Sequence, residues 1–143
     1  MPRYLVIANQ TLGGRVLHER LRELTAEGSC EIHVLVPSSP DPTESFHDDF
    51  ADRALARRRL DEALERFSDL DAQVTGEVGD HRPADAVGDV LRRGERFDRV
   101  ILSTLPAGVS RWLRLDAVSQ VERAVDVPVE HLVPSAEEVA GGS

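Results

Sequence analysis

The residues of this chain that are best suited to hold a small molecule carry no charge. Asn9, Gln10 and Thr11 follow the apolar run Tyr4–Ala8, and Ser103 and Thr104 follow Val100, Ile101 and Leu102. Both runs read as short strands buried on two faces, and the polar residues mark where each strand surfaces. Amides and hydroxyls at such places hydrogen-bond a ligand. They do not exchange protons with it near neutral pH. Gly108 belongs to the loop, with Pro106, that follows the second of these strands.

Residues for catalysis are scattered. The chain has no Gly-x-Ser-x-Gly elbow, no His-Glu-x-x-His and no Gly-x-x-x-x-Gly-Lys. Its five histidines stand at 18, 33, 47, 81 and 131, and no two have the spacing of ligands on one helix. His33 and His131 fall within strands and are expected to be packed or to face solvent, whereas His47 and His81 fall in loops after strands. None is matched with a nucleophile or carboxylate in a recognisable catalytic constellation, so we expect no enzyme and assign no catalytic residue. Trp112 beside Leu113 and Leu115 reads as an apolar plug for its loop. No metal ligand set stands out either: Asp116 has the oxygen chemistry for Mg²⁺, but no second carboxylate accompanies it at a convincing spacing. Asp116 is read instead as the side-chain cap of the helix after it, with Ser119 and Glu122 spaced to assist.

The formal net charge is −9, and all 17 basic residues are Arg. A phosphate backbone needs a basic face from which counterions can be released, so neither nucleic acid nor an anionic membrane is the expected partner. The absence of Lys removes Schiff-base chemistry and a P-loop lysine together. One cysteine, Cys30, allows no internal disulfide, and it reads as a small half-buried residue at a strand start. No apolar run approaches the roughly 20 residues that span a bilayer, and no signal peptide opens the chain, so a cytoplasmic location is expected.

The elements that must position the polar clusters can be read in order. A strand over Tyr4–Ala8 leads through Asn9–Gly14 into a helix from Arg15 to Glu27, with Leu17, Leu21 and Leu24 on one stripe and Gly28 as its terminator. The second strand, Ile32–Val36, runs into the proline-rich segment Pro37–Thr43. A helix is expected from Asp48 to Leu70, with Ala56, Leu60, Ala63 and Phe67 inward and Arg57, Arg58 and Arg59 on a solvated face. Ala72–Val78 is a more polar third strand, suited to a sheet edge. A helix from Pro83 closes at Gly94, and the strand Val100–Leu102 follows. Val118, Val121 and Val125 share the face of a last helix, and Val127–Val133 forms the fifth strand. Residues 1–134 make one domain, and 135–143 a disordered tail.

The run from Arg99 to Val121 resembles the last third of the universal stress protein family, which carries a strand, Gly-x-x-Gly, nine residues, Gly-Ser or Gly-Thr, a helix and a final strand. Laid on this chain, the loop glycines fall at Ser103 and Pro106, and the Gly-Ser pair falls at Asp116-Ala117. The family's first strand commonly ends in Asp-Gly-Ser with the Asp reaching the nucleotide, and the matching residues are Asn9, Gln10 and Thr11. The resemblance implies a doubly wound α/β domain, a five-stranded parallel sheet of order 3-2-1-4-5 in a flavodoxin-like or adenine nucleotide alpha hydrolase-like three-layer sandwich. It places a ligand crevice where the order reverses, between Asn9, Gln10 and Thr11, the end of the second strand at Val36, and Ser103, Thr104 and Gly108. A second reading is that these polar residues only satisfy loop backbone groups.

Family members that bind ATP use the loop as an anion site, with glycines that let the backbone approach the phosphates. Here Pro106 has no N–H to donate, Leu105 adds bulk, and Asp116 sets a carboxylate against a triphosphate. The resemblance therefore implies a non-enzymatic binding or regulatory domain with lost or weakened ATP binding and no cofactor of its own. The alternative is an adenine-nucleotide-binding protein or weak ATP hydrolase that holds adenosine through Asn9 and the backbone of the second strand, with the phosphates loosely held. Family members commonly dimerise through the terminal strand, so a homodimer through Val129–Val133 is expected.

Overall fold

Leu5, Val6 and Ile7 have no exposed surface. A strand can lose both faces in this way only at the middle of a covered sheet, and that is where β1 (Arg3–Ile7) lies. The computed structural model describes residues 1–38, 48–106 and 109–134. The expected tail over 135–143, along with Gly108, His47 and most of the proline-rich segment, lies outside them.

The five strands are β1, β2 (Cys30–Pro37), β3 (Ala72–Gly79), β4 (Arg99–Ser103) and β5 (Val129–Leu132), in the order β3-β2-β1-β4-β5. Every pairing is parallel, and Leu5 stands opposite both His33 and Val100. Period-two alternation divides the side chains between two cores. Val6, Ile32, Val34, Val36 and Ile101 pack beneath α1 (Arg15–Ala26) and α2 (Asp49–Arg66), with Leu17, Leu21, Leu60 and Phe67. Leu5, Ile7, Leu35, Val100 and Leu102 pack beneath α3 (Pro83–Arg92) and α5 (Ala117–Ala124), with Val87, Val90, Val121 and Trp112. The result is the expected three-layer α/β sandwich, with Trp112 plugging the second core. No helix among the described residues is long and apolar enough to cross a membrane.

Glycine is needed at one point in the sheet. A Cβ on Gly76 would lie 2.5 Å from Leu60 Cδ1 and 3.0 Å from the Val34 carbonyl, so α2 packs on β3 at a distance that only glycine permits. Cys30 opens β2 and is fully buried, not half-buried as expected, and burial pushes its thiol pKa up with Asp71 adding to the effect.

Several boundaries differ from the sequence reading, each for a local reason. The long helix ends at Arg66 and tightens into a 3₁₀ turn over Phe67–Asp69, a common way to satisfy the last carbonyls. The fifth strand is limited to Val129–Leu132, because Pro128 has no N–H for the ladder and contributes only its carbonyl, to Val100 N at 2.9 Å. A four-residue helix, α4 (Arg111–Arg114), was not foreseen. Ser110 caps it, its Oγ accepting from Leu113 N at 3.1 Å.

Asp116 is the clearest correction. It stands at the N-cap position of α5, but its backbone is left-handed, with φ 58° and ψ 39°, and its side chain makes no capping bond. A capping side chain needs an extended backbone to reach the first amides. In the left-handed region it is carried away from them, and the junction is closed instead by the Asp116 carbonyl, which accepts from Gln120 N at 3.2 Å, and by Gln120 Nε2 donating to Leu115 O at 3.1 Å.

Candidate functional site

At the carboxyl ends of β1, β2 and β4, where the strand order reverses between β1 and β4, three polar segments meet. Asn9 follows β1 and is 2% exposed. Its Nδ2 donates to Pro37 O, the last residue of β2, at 2.7 Å, and its Oδ1 accepts from Arg59 Nη1 at 2.5 Å. Thr11, one turn on, places its hydroxyl 2.6 Å from that of Ser103 at the end of β4, and both are buried. The turn between them is held by Leu12 N donating to Asn9 O and Gly14 N donating to Thr11 O, which delivers the chain into α1.

The sequence-predicted residues therefore converge in part. Asn9, Thr11 and Ser103 are brought together, and Val36 lies fully buried in the strand beneath them. Gln10 is half-buried in the turn. Thr104 is buried but faces the other neighbour: its Oγ1 donates to Leu105 O at 3.0 Å and lies 2.8 Å from His131 Nε2 on β5. Burial lowers the His131 imidazole pKa, with Glu122 opposing the shift. Gly108 lies outside the described residues.

Two residues of the crevice were not foreseen. Arg59 was placed on a solvated face with Arg57 and Arg58. Arg57 does pair with Asp61 at 3.2 Å, four residues on, but Arg59 is half-buried and reaches Asn9. Its place was readable in principle: three residues beyond Ala56 and one before Leu60, it flanks the buried stripe of α2. Ser38 is the second. It follows β2 as Thr104 follows β4, its N–H donates to Gly79 O at 3.1 Å, and its buried Oγ has no hydrogen-bond partner among the described residues.

Chemically the crevice is a set of neutral donors and acceptors with one guanidinium at its side. Among the described residues most of the hydroxyl and amide capacity is engaged within the protein, and what remains offers a ligand hydrogen bonds. At the position where the family resemblance puts the glycine of the Gly-Ser pair, the left-handed Asp116 takes the conformation that glycine adopts without strain and adds a negative charge.

No protein-family model matches the sequence, and no curated protein does. Solved structures do share its shape. A universal stress protein family protein from Arabidopsis thaliana, solved with AMP bound, superposes with a TM-score of 0.66 at 13% identity over 96% of this chain and 95% of that one. A hypothetical protein solved as a test case of structural genomics gives 0.60 at 10% identity over 94% and 96%. A universal stress protein in complex with cAMP gives 0.51 at 16% identity over 94% and 98%. Over nearly its whole length, this chain has the fold found in universal stress proteins.

Proposed function

We propose that the chain is a non-enzymatic, universal stress protein-like binding and regulatory domain whose crevice has lost or weakened its hold on the phosphates of ATP. The observation that carries this reading is the Thr11–Ser103 contact. Two hydroxyls that could face a ligand are 2.6 Å apart, buried and satisfied by one another. A ligand would have to break that bond and replace it, which returns little net free energy. Asp116 and Pro106 act in the same direction, one by repelling phosphate and the other by lacking an N–H.

A second reading is favoured by Ser38. A buried hydroxyl left without a partner costs about 1–3 kcal/mol; the Ser38 Oγ has none among the described residues, and a bound adenosine could satisfy it. The relatives in fold that were solved with AMP and cAMP support this reading, in which the base and ribose are held near Asn9 and the end of β2 while the phosphates stay loosely bound. The dimer expected through β5 is retained as part of the proposal. β5 is a sheet edge, and Val133 just beyond it is 42% exposed.

Calorimetric titration with ATP and with AMP, each with and without Mg²⁺, separates the readings. The first predicts no heat up to millimolar ATP. The second predicts AMP binding at least as tight as ATP binding, weakened in Ser38→Ala. Asp116→Gly removes the charge and the left-handed strain together, so a gain of ATP affinity in that variant supports phosphate repulsion as the cause. Micromolar ATP binding by the unaltered chain would overturn the loss.

A further inference from the structure

Away from the crevice, on the face of the sheet that α3 covers, a second polar cluster joins β2, β3 and the loop between α3 and β4. We propose that His33, Glu77 and Glu95 form a binding site for a divalent transition ion of the zinc type, in which Arg93 is the counter-ion that the metal displaces.

Geometry carries the proposal. One ligand atom from each of the three residues lies within 4.8 Å of the other two. Arg93 Nη2 already sits between the carboxylates, bonded to Glu77 Oε2 at 2.5 Å and to Glu95 Oε2 at 3.1 Å. A positive group thus occupies the position from which a cation would bridge them. Zinc bonds nitrogen and carboxylate oxygen at about 2.0–2.2 Å, so the three groups must draw inward by a modest amount. The Arg93 side chain is 52% exposed and has solvent to move into.

The ligands are oriented from behind, as metal ligands need to be. The His33 ring is 9% exposed, stacked 6.2 Å from Phe97, and held at Nδ1 by Thr75 Oγ1 at 2.8 Å. Its Nε2 is 2.8 Å from Glu77 Oε2. Glu77 Oε2 can only accept, so Nε2 carries the proton here, and the Nε2 lone pair becomes available to a metal when that proton shifts to Nδ1, where Thr75 Oγ1 accepts it. Glu95 is approached at its other oxygen, Oε1, by Arg3 Nη2 at 3.4 Å, and Arg3 is itself fixed over the Phe97 ring and to Glu31. Oε2 is then left for the ion. Arg93 lowers the carboxyl pKa of both Glu77 and Glu95, so both are charged at neutral pH.

The donor set sorts the ions. One imidazole and two carboxylates suit Zn²⁺ or Co²⁺, with water completing a tetrahedron, whereas Mg²⁺ prefers oxygen alone in octahedral geometry. The two carboxylates balance the charge of the ion, and Arg93 leaves as it binds.

The test is calorimetric titration of the full chain with ZnCl₂ at pH 7, beside His33→Gln, Glu95→Gln and Arg93→Gln, with CoCl₂ absorption as a report of tetrahedral nitrogen and oxygen ligation. The expected result is one ion per chain, affinity at least about tenfold weaker in His33→Gln and in Glu95→Gln, and tighter in Arg93→Gln because the competing cation is gone. Should His33→Gln fail to fold, Glu95→Gln, altered in a loop, still decides the matter. Absence of binding overturns the proposal. So does binding that is unchanged in Glu95→Gln, which places the ion elsewhere, or binding weakened in Arg93→Gln, which makes Arg93 a support and not a competitor.

Discussion

The crevice at the ends of β1, β2 and β4 and the cluster around His33 handle polar groups in opposite ways. In the crevice the groups are mostly neutral and buried, and they pair over short distances: Thr11 with Ser103, and Asn9 with Pro37. Around His33 they are charged, and the arginines stay partly in water: Arg3 and Arg93 have side-chain exposures of 32% and 52%. Removing a charge from water costs far more than removing a hydroxyl. The dry end of the sheet therefore holds neutral pairs, and the ion pairs collect where solvent still screens them. The crevice should accordingly be sensitive to substitution and indifferent to pH, and the cluster the reverse.

The largest effect is expected at Asn9. Asn9→Ala removes the partner of the Pro37 carbonyl and of one Arg59 N–H, and should lower unfolding free energy by about 2–3 kcal/mol in urea denaturation. A loss below about 0.5 kcal/mol would mean that water replaces the amide, and that the crevice is wetter than its burial implies. The next effect is at the hydroxyl pair. Thr11→Val alone should cost about 1–2 kcal/mol by orphaning the Ser103 hydroxyl, and adding Ser103→Ala should recover part of it. Strictly additive losses in that double-mutant cycle would show that the two hydroxyls do not depend on one another.

The smallest effect is expected in the cluster. Glu77→Gln at pH 7 should change stability by no more than about 1 kcal/mol, because its Arg93 partner is half-exposed and screened. Its signature lies in pH. Arg93 first, and His33 after it, depress the Glu77 carboxyl pKa, so over the acid range the unfolded chain binds more protons than the folded one. Stability from this group is present above the unfolded value of about 4.3 and falls as pH drops through the lower folded value. A melting series from pH 6 to pH 3 should therefore be flatter in Glu77→Gln than in the parent, while Thr11→Val shifts the curve without changing its slope.

The parts of the molecule written in short-range pattern were legible. Unbroken apolar runs placed β1, β2 and β4, helical stripes placed α1 and α2, and Pro83 with Gly94 bounded α3, because each depends on neighbours within a turn or two. The strand order and the crevice came from the family resemblance. What escaped was assembled at long range. His33 meets Glu77 across 44 residues, and no periodicity marks that pairing. Arg59 looked like one of three surface arginines until Asn9, 50 residues away, supplied its partner. Asp116 failed differently. Its residue type favours a helix cap, but the backbone there is left-handed, and conformation overrode composition.

Cys30 opens β2 between β1 and β3, and it is the one thiol in the chain. Fully buried and with its pKa raised, it has little of the thiolate that alkylating and disulfide reagents attack. Reaction must wait until the start of β2 opens, so the rate at which the native chain takes up a thiol reagent counts those openings. The molecule carries a single built-in stopwatch for its own unfolding, one that runs without any added label.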